Sequence, residues 1–282
     1  MNNKKKVILV SEYAALILYY LIFFIPVLWV FYSSFRLDTA LFSGKIFQND
    51  GGLTLKHYKD VLFPGADAGS NFPIYTFNSF KIAFIAVLVV VFVGLTGAYV
   101  LSRYRMKYKN ALMLTLMSSQ MFPGVLVLLS LFSFFYKLNL TDSIFAIALG
   151  HAIGGIPFAL MMMKSYIDAI PVELDESGRI DGLSASGILF RIILPLAAPG
   201  IAVAAFYAFM ASWGDYMYSL VLSTSLHSTT LPLGLARYFS SQQIKWGLIN
   251  AATIVSILPT VVIFAMLQRQ VVSGLTSGAV KG

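Results

Sequence analysis

The residues able to do chemistry are unevenly spread. Five of the twelve acidic residues, Asp168, Glu173, Asp175, Glu176 and Asp181, fall within fourteen positions of a 282-residue chain, beside Gly178 and Gly182. Carboxylates act as general acid and base, or hold a metal, only with convergent partners. The three histidines, His57, His151 and His227, stand in different segments and the chain has no cysteine, so no metal site, thiolate nucleophile or disulfide framework is expected. No GxxxxGK[ST] stretch occurs, and Lys45 and Lys164 lack its neighbours. The chain therefore has no such loop to cradle nucleotide phosphates. We expect no cofactor on this chain and no covalent chemistry, and read the acidic stretch as a recognition element.

The segments that must position these residues are apolar. The chain is 58% hydrophobic and 11% charged, whereas soluble domains carry roughly a quarter charged residues. Nearly charge-free runs of spanning length cover 13–35, 80–102, 110–135, 143–163, 197–221 and 246–268. About 20 residues cross the hydrocarbon core, and backbone satisfaction in lipid requires them to be helices. The predicted fold is all-α, an integral membrane protein of six transmembrane helices. The first run is too long for the apolar region of a cleaved signal peptide, and no small-residue cleavage site follows it. The formal charge of +8 sits beside the spans, which points to positive-inside bias and away from nucleic acid.

Alternate loops set the orientation. Placing the N-terminus (1–12) inside puts twelve basic residues there: Lys4, Lys5, Lys6, Arg103, Arg105, Lys107, Lys109, Lys164, Arg179, Arg191, Arg269 and Lys281. Eight fall outside: Arg36, Lys45, Lys56, Lys59, Lys81, Lys137, Arg237 and Lys245. The short loop "SRYRMKYKN" carries four of the inside charges, and short loops count most. Both termini, the tail 269–282 and the acidic loop 165–195 are thus expected on the cytoplasmic side.

The acidic loop cannot itself cross. Five acids at about 3 kcal/mol each would cost roughly 15 kcal/mol at the bilayer centre, against at most about 10 gained by an apolar span. Its signals describe two short helices. Pro171 suits a first turn, and Glu173, Asp175 and Glu176 complement the macrodipole. Gly182 can end that helix in a left-handed conformation, and Ser184 can cap a second helix over about 185–194 that stops at Pro195. Ile180 and Leu183 are expected as apolar anchors of this unit. A solvated connector remains the alternative from these signals alone.

"ESGRIDGLSASGILFRIILPLAAPG" resembles the EAA motif of ABC importer permeases, with Glu176 in the Glu position, Ser177 and Gly178 in the small positions, and Asp181-Gly182 as the Asp-Gly. Ser-Gly in place of Ala-Ala departs from the pattern while keeping small volume. "TFNSFKIA", "WGDYMYSLVL", "TTLPLGLARYF" and the tail "GLTSGAVKG" resemble the carbohydrate importers of the maltose type, specifically their shorter, six-span permease subunit. The resemblance covers most of 72–282. It implies the type I importer permease fold in a bacterial cytoplasmic membrane. It also implies a coupling helix (Glu173, Glu176, Ser177, Gly178, Asp181, Gly182, Leu183) that docks on a separate ATPase dimer carrying ATP and Mg. A second homologous permease, an extracytoplasmic solute-binding protein and a carbohydrate substrate are the other implied partners, with lipid around the spans. The resemblance further places Thr229, Thr230, Leu231 and Pro232 in a loop that contacts the binding protein.

Polar residues within the spans carry two readings. His151 can hydrogen-bond along a solute path or join two helices as a neutral group; Gln120 and Asn250 share that choice. Asp215 stands where the family often has Asn or Glu. Gly150 and Gly154 form a small-xxx-small face suited to close packing, with a second permease as one candidate. Pro123, Pro157 and Pro259 are hinges or static kinks. Glycerol phosphate or an anionic oligosaccharide is the alternative solute. An ion-coupled secondary transporter would need charge relays within the membrane, whereas here charge is concentrated in one loop.

Overall fold

The computed structural model describes residues 3–42, 52–63, 71–239 and 244–279, with side chains within 11–270. Lys4, Lys5 and Lys6 lie outside the described side chains; Lys45 and Lys281 lie outside the described residues altogether. Among the described residues the regular structure is helical, and extended pairing is confined to an antiparallel bridge between Arg36 and Leu53. The chain divides into two compact units, Met1–Pro73 with Leu235–Leu258 and Ile74–Gly234 with Pro259–Gly282.

The first unit is led by helix α1 (Asn3–Ser34), whose stretch Ser11–Ser34 has a mean hydropathy of 2.4 and no buried residue in its most apolar window. A helix that is apolar all round and uncovered by its own chain needs lipid or another protein as solvent. Its end is tied down by α2 (Asp38–Phe42) and α3 (Lys56–Leu62). There His57 Nε2 lies 3.0 Å from the Arg36 carbonyl, and Asp38 Oδ1 accepts the Gly247 N–H at 2.8 Å. A Cβ at Gly247 would lie 2.3 Å from the His57 ring, so only glycine lets the start of α14 (Trp246–Ala279) pass here. His57 is a structural residue of this unit, and Arg36, counted outside by charge, is buried.

In the second unit α4 (Phe72–Arg103) is 32 residues long, about 48 Å at 1.5 Å per residue. That exceeds a ~30 Å hydrocarbon core, so its end projects beyond lipid. Two helices, α5 (Lys109–Ser119) and α6 (Gly124–Lys137), follow where one straight span over 110–135 was expected; they meet at 94°. The bend falls at Pro123, extended at φ −56 and ψ 121, which lacks an N–H to continue the ladder. Pro157 and Pro259 are accommodated inside α7 (Ile144–Asp168) and α14. Among the described residues, four helices are individually long and apolar enough to span, and up to six if each sharply bent pair is one span.

After α7 come α8 (Glu173–Ile180), α9 (Ala185–Ile188), a π-turn (Leu189–Ile193) and α10 (Leu194–Leu196). The helix passes through Pro195 and breaks at Ala197, turning 82° into α11 (Ala198–Trp213). The expected stop at Pro195 is corrected by the π-turn. Leu194 N–H bonds five residues back to the Leu189 carbonyl, which shifts the ladder just where proline has no donor. The expected span 197–221 is divided likewise, into α11 and α12 (Met217–Leu222), before α13 (Leu231–Phe239).

Small residues let α4, α7 and α11 approach closely. Val90, Ala98, Ala152, Ala159, Met163, Ala204 and Ala208 share one core, and Cβ atoms at Gly94 and Gly155 would lie 3.2 Å from Ala159 and 3.1 Å from Val90. This is the packing expected where lipid tails offer no hydrophobic drive between helices. At Gly200 a Cβ would lie 2.4 Å from the Tyr166 ring. Gly200→Val is therefore expected to cost about 1–3 kcal/mol by overpacking. A thermal-unfolding midpoint in detergent unchanged from wild type would contradict this close approach.

Candidate functional site

The acidic loop is a capped helix–turn–helix. Gly182 has φ +80, and its N–H donates to the Arg179 carbonyl at 3.0 Å. The Leu183 N–H reaches the Gly178 carbonyl at 2.9 Å. These two bonds make a complete Schellman motif, which satisfies the last carbonyls of α8 and requires a left-handed residue at 182. Ser184 then caps α9, its Oγ accepting the Gly187 N–H at 3.2 Å. Helix α8 begins at Glu173, two residues beyond Pro171, which stands just ahead of the first turn and not within it.

The five acids divide by environment. Glu173, Glu176 and Asp181 are exposed, as is Ser177, whose Oγ turns back to the Leu174 carbonyl. Asp175 is 1% exposed and belongs to the interior. Arg103 Nε donates to both its oxygens at 3.1 and 3.2 Å, and Tyr99 OH donates at 3.3 Å. The same guanidinium donates to the Ile170 carbonyl at 2.9 Å. Asp168 is exposed but engaged within the chain, accepting from Ser102 Oγ at 2.6 Å and Lys164 Nζ at 2.5 Å. Sequence reasoning grouped all five as one surface charge. Asp175 and Arg103 were missed as a functional pair because they lie 72 positions apart.

Gly178 faces inward: a Cβ there would meet Ile192 Cδ1 at 2.8 Å and Ile188 at 3.1 Å. Leu183 packs half-buried on the same core. Ile180, expected as a second anchor, is 86% exposed. The reason is geometric. Buried Asp175 and Gly178 define the inner face of α8, and position 180, two residues on, points away from it. The outer face of α8 and its turn thus presents Glu173, Glu176, Ser177, Asp181 and bare Ile180.

A second polar group lies among the spans. His151 Nδ1 and Ser212 Oγ are 2.8 Å apart, linking α7 to α11. His151 Nε2 lies 3.2 Å from Asp215 Oδ1 but out of line for a hydrogen bond. Asp215 meanwhile accepts the Tyr218 N–H at 2.8 Å and so starts α12. The Tyr218 ring packs edge-on to His151 at 5.0 Å and fills the face of Gly150, where a Cβ would lie 2.5 Å away. That face is covered by this chain itself, which corrects the expectation of a second permease packing on Gly150. Gly154 has open space at its Cα, and its carbonyl accepts from Gln120 Nε2 at 3.3 Å. His151, Asp215 and Gln120 therefore cluster around α7; Asn250, on α14, is half-buried in the first unit.

A third site organises the segment expected to meet a binding protein. Asp142, at φ 62, accepts the N–H groups of Thr224 and Ser225 at 2.8 and 2.9 Å and the hydroxyls of Ser225 and Ser228 at 2.6 and 2.5 Å. Asn78 Nδ2 donates to the Leu226 and Thr229 carbonyls, and Ser79 Oγ accepts the Leu231 N–H. Thr229, Thr230 and Leu231 are buried and Pro232 half-buried. The expectation that these side chains form a contact surface is corrected: their hydrogen bonds turn them inward, leaving Leu226 and His227 exposed.

An all-α integral membrane protein with a capped, acid-faced helix–turn–helix between two spans has the fold of an ABC importer permease. The chain belongs to the family of binding-protein-dependent transport system inner membrane components, whose model matches residues 10–276. It is 34% identical over 285 residues to the inner membrane ABC transporter permease protein YcjP of Escherichia coli, covering 100% of this chain and 99% of that one. It is 32% identical to the trehalose/maltose transport system permease protein MalG of Thermococcus litoralis, with 91% of each covered. Its fold is similar to a chain in the crystal structure of a bacterial ABC transporter involved in import of the acidic polysaccharide alginate. That match has a TM-score of 0.82 at 19% identity and covers 95% of this chain and 98% of that one.

Two outcomes are expected. Arg103→Met should destabilise the protein by about 3–5 kcal/mol, because Asp175 is left buried and uncompensated. Adding Asp175→Leu should recover much of the loss, and a double-mutant cycle showing simple additivity would exclude the coupling. The second concerns pH. Burial by itself would raise the Asp142 carboxyl, but hydrogen bonds from Ser225, Ser228 and Thr224 hold it well below the usual carboxylate range. A depressed folded value means its contribution is complete above the ordinary value of about 3.9 and disappears as pH falls through the folded one. The stability gap between wild type and Asp142→Asn, followed by thermal unfolding, should be constant at neutral pH and shrink under acid. A gap that widened on acidification would reverse the assignment.

Proposed function

We propose that this chain is one half of the translocation pathway of a carbohydrate importer. It pairs with a second homologous permease and is driven by a separate ATPase dimer that docks on the outer face of α8. The reading of a sugar solute is supported by full-length similarity to permeases named for trehalose and maltose, galactooligosaccharides and diacetylchitobiose. The single observation that carries the docking assignment is the division of the loop. Asp175 and Gly178 hold α8 to its own chain, while Glu173, Glu176, Asp181 and Ile180 are left to water. An 86%-exposed isoleucine within an acidic rim has the chemistry of a small apolar anchor for a cleft with basic edges.

The mechanism is a population shift. Closure of the ATPase displaces α8 and biases the spans between inward-open and outward-open states. Arg103 joins α8 to the end of α4, Asp168 joins the end of α7 to α4 through Ser102, and the π-turn carries α9 into α11. A push on α8 therefore reaches α4 through the buried Arg103–Asp175 pair, α7 through the exposed Ser102–Asp168 bond and α11 through the continuous backbone. His151, Ser212, Asp215 and Gln120 supply hydrogen-bonding groups beside the path, and the binding protein delivers solute near Leu226 and His227. Both termini and the acidic loop lie on the cytoplasmic side, in keeping with the basic loop at 103–109.

Ile180→Asp and Glu176→Lys in the assembled complex are expected to cut binding-protein-stimulated ATPase and uptake at least tenfold while leaving membrane insertion intact. Wild-type stimulation in both variants would remove the docking role. Uptake of a panel of maltose, trehalose, chitobiose and galacto-oligosaccharides should show one transported sugar and depend on ATP. Transport that instead follows a collapsed ion gradient would replace the importer with a secondary transporter.

A further inference from the structure

Two concavities that the transport mechanism leaves unused meet at one residue. The first, about 750 Å³, is lined by Arg105, Lys107 and Lys109 together with Tyr104, Tyr108 and Arg103. The second, about 410 Å³, is walled by Phe92, Val100, Leu189 and Phe190, with Thr96 at its side. Tyr104 borders both. The basic cavity opens where α4 ends and α5 begins; the apolar one runs back along α4 against the π-turn that follows α9.

The positive field of the first cavity is only partly compensated by its surroundings, Asp168 acting on Lys109. Asp175 is taken up by Arg103 and Tyr99, and Asp168 by Lys164 and Ser102. Among the described residues no ion pair engages Arg105 or Lys107. Helix α5 adds its own terminus: it has no side-chain cap and no acid in its first turn, whose residues Lys109, Asn110 and Ala111 line the cavity. Such a terminus attracts anions. Phe92 to Tyr104 spans twelve residues of chain, about 18 Å of helix if continued, close to half of a ~30 Å hydrocarbon core. The two cavities thus match a charged head and a chain one leaflet deep.

We propose that an anionic phospholipid occupies this pair of cavities. Its phosphate sits among Arg105, Lys107, Lys109 and the first turn of α5, and one acyl chain lies along Phe92, Val100, Leu189 and Phe190. A soluble phosphate would use only the basic half and a neutral lipid only the apolar half. The lipid lies against the joint between α4 and the π-turn, so it braces the root of the coupling loop. This inference is independent of the solute carried.

The test is native mass spectrometry of the full chain with its partner subunits, extracted from bilayers of phosphatidylcholine and phosphatidylglycerol. Wild type is expected to retain phosphatidylglycerol in preference, each basic side chain contributing about fivefold. Arg105→Gln/Lys107→Gln/Lys109→Gln should lower retention at least tenfold. Because those residues also bias orientation, Thr96→Trp provides a second arm: it keeps every charge, fills the apolar groove, and should also release the lipid. Millimolar glycerol phosphate should not displace bound phosphatidylglycerol. Retention at wild-type level in either variant, equal retention of both lipids, or displacement by glycerol phosphate would overturn the site.

Discussion

Arg103 and Asp175 face each other where neither reaches water, with side chains 5% and 2% exposed. Burying such a pair brings no assured gain in stability, since desolvation offsets the attraction. What it brings is position. The guanidinium donates to Asp175 and to the Ile170 carbonyl from one rigid plane, and this fixes α8 against the end of α4. A fully bonded buried charge resists sliding because any displacement exposes an unpaired ion to a low dielectric.

From that anchor the rest of the loop follows. With Asp175 and Gly178 turned inward, Glu176 and Ile180 necessarily face out, and the left-handed Gly182 turns the chain into α9. The π-turn ahead of Pro195 carries the helix through a residue that cannot donate, and the 82° corner at Ala197 redirects it into α11. Each irregularity in this stretch has a backbone cause that leaves hydrogen bonds satisfied, as a segment at the lipid boundary requires.

The same economy of polar groups governs the other two sites. His151 meets Ser212 and lies near Asp215, so its imidazole is never alone in the apolar interior. Asp142 collects backbone and hydroxyl donors and converts a polar segment after α12 into a structured element. Its left-handed backbone is the conformation that Asp tolerates better than most residues.

Much was legible from the chain alone. Long charge-free runs require helices because lipid offers no hydrogen bonds, and Glu176, Asp181-Gly182 and Ser184 announced a capped helix–turn–helix through local chemistry that acts over three or four residues. The bend at Pro123 was marked by its missing donor, though not its 94° angle. What only the tertiary structure decided is direction: that Asp175 is internal and Ile180 external, that Tyr218 covers Gly150, and that Thr229 and Leu231 turn inward. These depend on partners such as Arg103, 72 positions from Asp175, and Asn78, 151 from Thr229. Local propensity is blind to such pairs. Burial is a property of what folds against a residue, and periodicity in one segment carries no record of the segment that will cover it.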